Sequence, residues 1–223
     1  MNLSKSYEFF QPDKLTSRVH IIGCGSVGST VAENLARCGV TRMTLWDFDK
    51  VEAHNIVNQM FTSTDIGHPK VEALKRILVD INPEIEDDLV LKPNGWQGQL
   101  VSGYVFLAVD SIDLRRRFVE EHMDSPNVEA VFDIRTGLTD AQHFAADWHD
   151  IPSRQRLLST MQFTHDEARD ETPVSACGVT LGVATTVRLV SAYAVNNFIN
   201  FIKTGSVAKF INLDGFSYLL DAM

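Results

Sequence analysis

The sequence predicts an α/β fold, a mostly parallel sheet flanked by helices, with an antiparallel hairpin at its C-terminal end. Three observations carry this. Short apolar runs alternate with segments of helical period along most of the chain, the pattern of strands covered by helices. A glycine turn, Gly23-Cys24-Gly25-Ser26-Val27-Gly28, comes directly after the first of those runs and opens the first helical segment. Near the end, Asp214-Gly215 divides two apolar stretches, 209–213 and 217–220, as a hairpin turn does.

Taken in order, residues 1–18 mix polar side chains with Tyr7, Phe9 and Phe10, and read as either a docked arm or a loose tail. Val19–Ile22 is a buried parallel strand, and 29–38 a helix with Val31, Ala32, Leu35 and Ala36 on its inner face. Met43–Trp46 is a second strand that delivers Asp47 at its carboxyl end, with Asp49 two residues on. Lys70–Ile81 is a second helix, begun after Pro69. Next come a strand over 85–91, a turn at Asn94-Gly95, and a buried strand over 104–109. A helix over Ile112–His122 carries Arg115, Arg116 and Arg117 on a solvated face, with Asp113 one turn from Arg117. Another strand spans 128–134. The stretch 137–148 alternates loosely and extends the sheet, 151–173 is loop or short helices, and 178–202 is a long apolar helix.

Strand, glycine turn, helix and an acidic residue roughly 20 positions on make up a Rossmann-like G-x-G-x-x-G unit. Gly23 permits the tight turn, Gly25 lets a phosphate approach the backbone, and Gly28 allows close helix–strand contact. With Ser26 they hold phosphate at the free N–H groups of the helix start, and Asp47 accepts from ribose hydroxyls. The turn alone favours a nicotinamide or flavin enzyme. The residues past the second strand argue for a triphosphate: Asn55, Asn58 and Gln59 crowd the space there, where they meet phosphate oxygens or a base. Lys70 brings an ammonium to the same nucleotide, which suits charge developing on a triphosphate rather than hydride transfer.

The run 19–83 resembles the ThiF/MoeB/ubiquitin-activating superfamily, whose pattern is G-x-G-x-x-G, then D-x-D-x-V-E-x-x-N-x-x-R-Q, D-x-G-x-x-K and a later N-P. Here these fall at Gly23 to Gly28, at 47–59, at 65–70 and at Asn82-Pro83. The resemblance implies one adenylating domain over residues 1–223, ATP as the nucleotide, and a homodimer with two sites. It implies Mg²⁺ on Asp110 after a third strand, with Ser111 where an asparagine is usual. Lys70 and Asp110 become catalytic, Arg115 falls on the family's helix arginine, and Asp47, Asp49, Asn55, Asn58 and Gln59 join the glycine turn in the nucleotide site. Three departures stand out. Asn58 occupies the place of the family's R-Q arginine, so a cation for the phosphates is left to Arg115, Arg135 or a partner. Lys14 and Arg18 match only weakly the arginine of the family's N-terminal segment, and Arg18 also reads as a flank of the strand. The paired C-x-x-C motifs are absent, so no structural zinc is expected. Cys177 keeps two readings: a nucleophile at the start of the helix expected from Gly178, where the dipole favours thiolate, or a packed core residue.

At 223 residues the chain suffices for one sizeable core. Hydrophobic content of 44% and charged content of 22% are those of a globular domain. Acidic residues outnumber basic ones 29 to 20, for a formal charge of −9, which argues against a general nucleic-acid surface. No basic-flanked apolar leader opens the chain, no run reaches a membrane span, and three cysteines without C-x-x-C suggest reduced thiols in a cytoplasm. Cys24 and Cys38 are read as packing residues, and the histidines show no metal-ligand spacing.

Together these give an ATP-dependent adenylyltransferase. Its substrate is a carboxylate, foremost the C-terminus of a ubiquitin-like or sulfur-carrier protein, with release of pyrophosphate. Three alternatives stay open: adenylation of a small molecule, peptide or tRNA base; an NAD-dependent dehydrogenase; and a non-catalytic nucleotide-binding subunit, suggested by Asn58.

Overall fold

A computed structural model of the protein describes residues 1–170, Val174 and residues 181–223. Among the described residues eight strands form one sheet in the order β3-β2-β1-β4-β5-β6-β7-β8. The strands β1 (Val19–Ile22), β2 (Met43–Trp46), β3 (Val90–Lys92), β4 (Gly103–Leu107) and β5 (Val128–Thr136) run parallel. The strands β6 (Asp140–Asp147), β7 (Phe210–Asp214) and β8 (Leu219–Ala222) are antiparallel to their neighbours. The expected fold class and C-terminal hairpin are therefore observed, and the loosely alternating stretch does extend the sheet as β6.

Both faces of the sheet are covered, and the two-residue period of the strands sorts their side chains between two cores. Val19, Ile21, Leu45, Phe106 and Phe132 face the side packed by α1 (Ser26–Arg37), α2 (Lys70–Ile81) and α6 (Ala184–Thr204). Ile22, Trp46, Val105, Leu107 and Val131 face the side packed by α3 (Ile112–His122) and α4 (Ile151–Ser159). A short helix, α5 (His165–Asp170), comes after α4. Among the described residues no helix is long and apolar enough to cross a membrane. The N-terminal segment is docked: Phe10 and Leu15 are buried in the first core, and Lys203 sits 4.0 Å over the ring of Phe9.

Three expectations are corrected. The strand over 85–91 is shorter and later. Asn82 Oδ1 accepts the Glu84 N–H and Pro83 opens a 3-10 turn over Pro83–Ile85, so pairing begins only at Val90. The helix expected over 178–202 starts at Ala184 and ends at Thr204, where Gly205 adopts φ +71°. The arginine run is not one solvated face. Arg115 lies on the same side of α3 as Ile112, Phe118 and Val119 and is buried with them. Asp113 pairs with Arg116 (3.2 Å), which also reaches Met161 O, while Arg117 pairs with Glu121 (2.7 Å).

Two buried histidines use both ring nitrogens in hydrogen bonds within the core. His143 on β6 donates from Nδ1 to Asp133 O and accepts at Nε2 from Asn197 of α6. His20 on β1 donates from Nε2 to Ser102 O and accepts at Nδ1 from Trp46 Nε1. Burial pushes each down to about 4, with the bonds to backbone carbonyls opposing it. In the unfolded chain these rings protonate near pH 6.5, whereas in the folded protein they stay neutral until about pH 4. The stability they contribute is therefore whole above pH 6.5 and is lost as pH falls from there to about 4, on the order of 3 kcal/mol per ring. His143→Gln should flatten the decline in urea-measured stability between pH 6.5 and 4.5. An unchanged slope would contradict the assignment.

Candidate active site

The order β2-β1-β4 makes a switch point: the chain leaves β1 toward β2 on one side and returns as β4 on the other. Ligands bind at the carboxyl ends of strands in such a crevice. The glycine turn lies there, and its close fit explains two of the three glycines. Gly23 has φ +93°, donates its N–H to Trp46 O, and a Cβ on it would lie 2.8 Å from the carbonyl of Ala108. A Cβ on Gly28 would overlap the carbonyl oxygen of Gly23. Gly25 is different. A Cβ there would meet only Gln59 Nε2, at 4.0 Å, so no protein atom needs this position to be glycine. It is where a ligand can come close to the backbone. The first turn of α1 has no side-chain cap and no acidic residue, which leaves its positive end to an anion.

Asp47 ends β2 beside this turn. Its Oδ2 accepts the Cys24 N–H at 2.7 Å and its Oδ1 accepts the Asp49 N–H at 2.8 Å. Burial pushes its carboxyl above the ordinary value, and the Lys70 charge pulls it back down. A carboxylate has further lone pairs, so two backbone bonds leave acceptor capacity for hydroxyls. Lys70, the first residue of α2, is 7% exposed; its Nζ lies 2.8 Å from Asp49 Oδ2 and its N–H donates to Asp49 O. A short bridge between Lys50 and Pro69 holds the two loops together. The structure thus brings Asp47, Asp49 and Lys70 together next to the glycine turn.

The segment 53–60 covers the other side of the turn. Asn55 is buried and accepts the Glu52 N–H at 2.8 Å, which shapes the 3-10 turn over Ala53–Val57. Asn58 abuts Gly182, whose Cβ position is 2.6 Å from its amide nitrogen. Gln59 Oε1 is buried with no hydrogen-bond partner among the described residues, beside Gly25. An orphaned acceptor at the turn is what a ligand donor would satisfy.

Past β4, Ala108 and Val109 touch Gly23, and Asp110 is exposed with no ion pair among the described residues. Ser111 caps α3: its Oγ accepts the Leu114 N–H at 3.2 Å. Arg115 is a brace rather than a projecting cation. Its guanidinium donates to the carbonyls of Leu107, Val109 and Ile134 and pairs with the buried Asp133. Its spacing from Ile112 and Phe118 is the sequence signal that places it inside. Arg135 is likewise engaged, with Asp133 and with Thr160. Arg18 donates to Met43 O and Asp88 O at the amino end of the strands, away from this site.

Asp110 fits Mg²⁺, which takes one or two carboxylates and completes its shell with phosphate and water. Among the described residues no cluster of three or more metal-ligating side chains provides an all-protein cage instead. Cys177 lies outside the described residues. Its two readings, nucleophile or packed residue, therefore lie outside what the structure describes. Burial pushes the thiols of Cys24 and Cys38 up, so neither is poised as a thiolate. A separate cleft of about 470 Å³, lined in part by Arg18, Arg42 and Ser102, opens at the opposite end of the strands.

The sequence matches the ThiF family over residues 3–221. Ubiquitin-like modifier-activating enzyme 5 of Drosophila persimilis is 45% identical over 85 residues, 38% of this chain and 21% of that protein. The same enzyme of Drosophila willistoni is 41% identical over 86 residues, 39% of this chain and 20% of that protein. The chain thus matches about a fifth of the length of these curated relatives. Of solved structures, E. coli MccB with ATP superposes with a TM-score of 0.69 at 18% identity, covering 95% of this chain and 65% of that one. PaaA gives 0.70 at 16% identity, covering 95% and 65%. At such identities the likeness is one of fold.

The glycines divide by what they make room for, and stability measurements check this. Gly28→Ala must move the turn or the helix and should lose several kcal/mol or fail to fold. Gly25→Ala should stay within about 1 kcal/mol of the parent, since its Cβ meets open space. Equal losses in both would contradict the division.

Proposed function

The chain belongs to the ThiF family, and on that footing we propose that it is an ATP-dependent adenylyltransferase. It activates the C-terminal carboxylate of a ubiquitin-like or sulfur-carrier protein and releases pyrophosphate. The observation that carries the reading is the convergence, at one switch point, of an uncapped glycine turn, a buried Lys70 and the exposed Asp110. A dehydrogenase uses such a turn as well, but has no need of a lysine ammonium or a free carboxylate at the polyphosphate end.

In this mechanism a carboxylate oxygen attacks the α-phosphorus, the bond to the β-phosphate oxygen breaks, and pyrophosphate leaves with the displaced electron pair. The protein supplies position and charge rather than a covalent step. The N–H groups after Gly25 hold phosphate, Gly25 admits it, and Asp47 accepts from the ribose. Asn55 keeps the segment over the turn in shape, while Asn58 and Gln59 face the nucleotide from it. Lys70, fixed by Asp49, offsets charge as the leaving group forms. Mg²⁺ held by Asp110 would neutralise phosphate oxygens when bound. Arg115 positions the end of β4, and with it Asp110. The reading extends to a homodimer with two sites, in the cytoplasm.

ATP–pyrophosphate exchange driven by a ubiquitin-like protein ending in Gly-Gly tests this. Lys70→Ala and Asp110→Ala should each lower exchange on the order of 10²-fold while unfolding as cooperatively as the parent, because neither side chain builds the apolar core. Parent-like exchange in either variant would show that the catalytic charges lie elsewhere.

A further inference from the structure

The groups gathered at the glycine turn offset a triphosphate only in part. Asp110 would be matched by the Mg²⁺ it holds, and of the remaining groups Asp47 and Asp49 oppose the buried Lys70, which is already paired with Asp49. Arg115 and Arg135 are spent on Asp133 and on carbonyls. A polyphosphate tail therefore needs a cation that these residues do not provide.

The start of α6 carries one. The helix and the residue before its cap meet the segment beside the turn at two places: Gly182 abuts the amide of Asn58, and Arg188 Nη1 lies 3.4 Å from Met60 Sδ. Met60 in turn donates its N–H to Ser29 Oγ at 3.2 Å, and Ser29 donates its own N–H to Gly25 O at 2.9 Å. Arg188 is exposed, and among the described residues no carboxylate lies within ion-pair distance of it. A thioether is a weak acceptor, so moving the guanidinium to a phosphate gives up little. The backbone below it is fixed, since Thr186 Oγ donates to Leu138 O and Val187 and Val190 are buried.

We infer that Arg188 binds the polyphosphate tail of ATP, reaching from α6 across Met60 toward the N-terminal start of α1. The inference rests on ATP being the ligand of this turn, and it makes α6 part of the nucleotide site. Residue 58 can then be uncharged, because the cation arrives from the helix that packs against it.

Calorimetric titrations with ATP and with AMP, in the presence of Mg²⁺, separate the outcomes. Arg188→Ala should weaken ATP binding roughly tenfold or more, the loss of one charge-assisted contact, and leave AMP binding and the melting temperature unchanged. Arg188→Lys should recover part of the loss. Met60→Leu, which removes the sulfur and keeps the cation, should bind ATP like the parent. Unchanged ATP affinity in Arg188→Ala, equal losses for ATP and AMP, or a loss of the same size in Met60→Leu would each overturn the inference while the adenylation reading stood. A parent protein that binds no ATP would overturn both.

Discussion

Asp47 takes two backbone N–H groups on one carboxylate, that of Cys24 in the glycine turn and that of Asp49 in its own loop. The rest of the site is referenced to that pair of bonds. They fix the turn after β1 against the end of β2. They also orient Asp49, whose carboxylate and carbonyl hold both the ammonium and the N–H of Lys70. Through this relay one side chain sets the relative positions of two strand ends and the start of α2. Burial lifts the carboxyl of Asp47 above the ordinary value, and the Lys70 charge that the relay places opposes the lift.

A second tie acts on the far side of β1. Arg115 reaches from α3 to the carbonyls that close β4 and β5 and pairs with Asp133, which Arg135 holds from the other side. Buried ion pairs add little net stability, but losing one partner leaves a charge stranded in the core. The value of this one is geometric. It fixes the segment from Leu107 to Asp110 against Gly23, so that the acidic residue after β4 stands beside the turn. The same commitment removes two arginines from the charges that a ligand in the crevice can meet.

Much of this is legible in the sequence because it is local. The glycine spacing, the acidic residue ending β2 and the lysine after Pro69 depend on short-range geometry, and the structure brings them together as the pattern implies. What escapes a sequence reading depends on contacts far apart in the chain. Arg115 looks like part of a solvated run, although its spacing from Ile112 and Phe118 marks the inner face. The sequence puts the beginning of α6 too early, because small and β-branched residues give no periodic edge there and no strong cap announces Val183. The strand expected over 85–91 is too long for the opposite reason: Asn82-Pro83 is a family landmark, but it is also the cap of a turn that delays pairing. Arg188 has no sequence signal at all, since only the packing of α6 on α1 brings it near Met60.

The central claim is that the switch-point crevice is built for a triphosphate and not for a nicotinamide dinucleotide. Parallel calorimetric titrations of the purified protein with ATP·Mg²⁺ and with NADH test it most directly, because both ligands would use the same turn. ATP should bind saturably, with no appreciable heat from NADH. Tight NADH binding beside weak or absent ATP binding would contradict it.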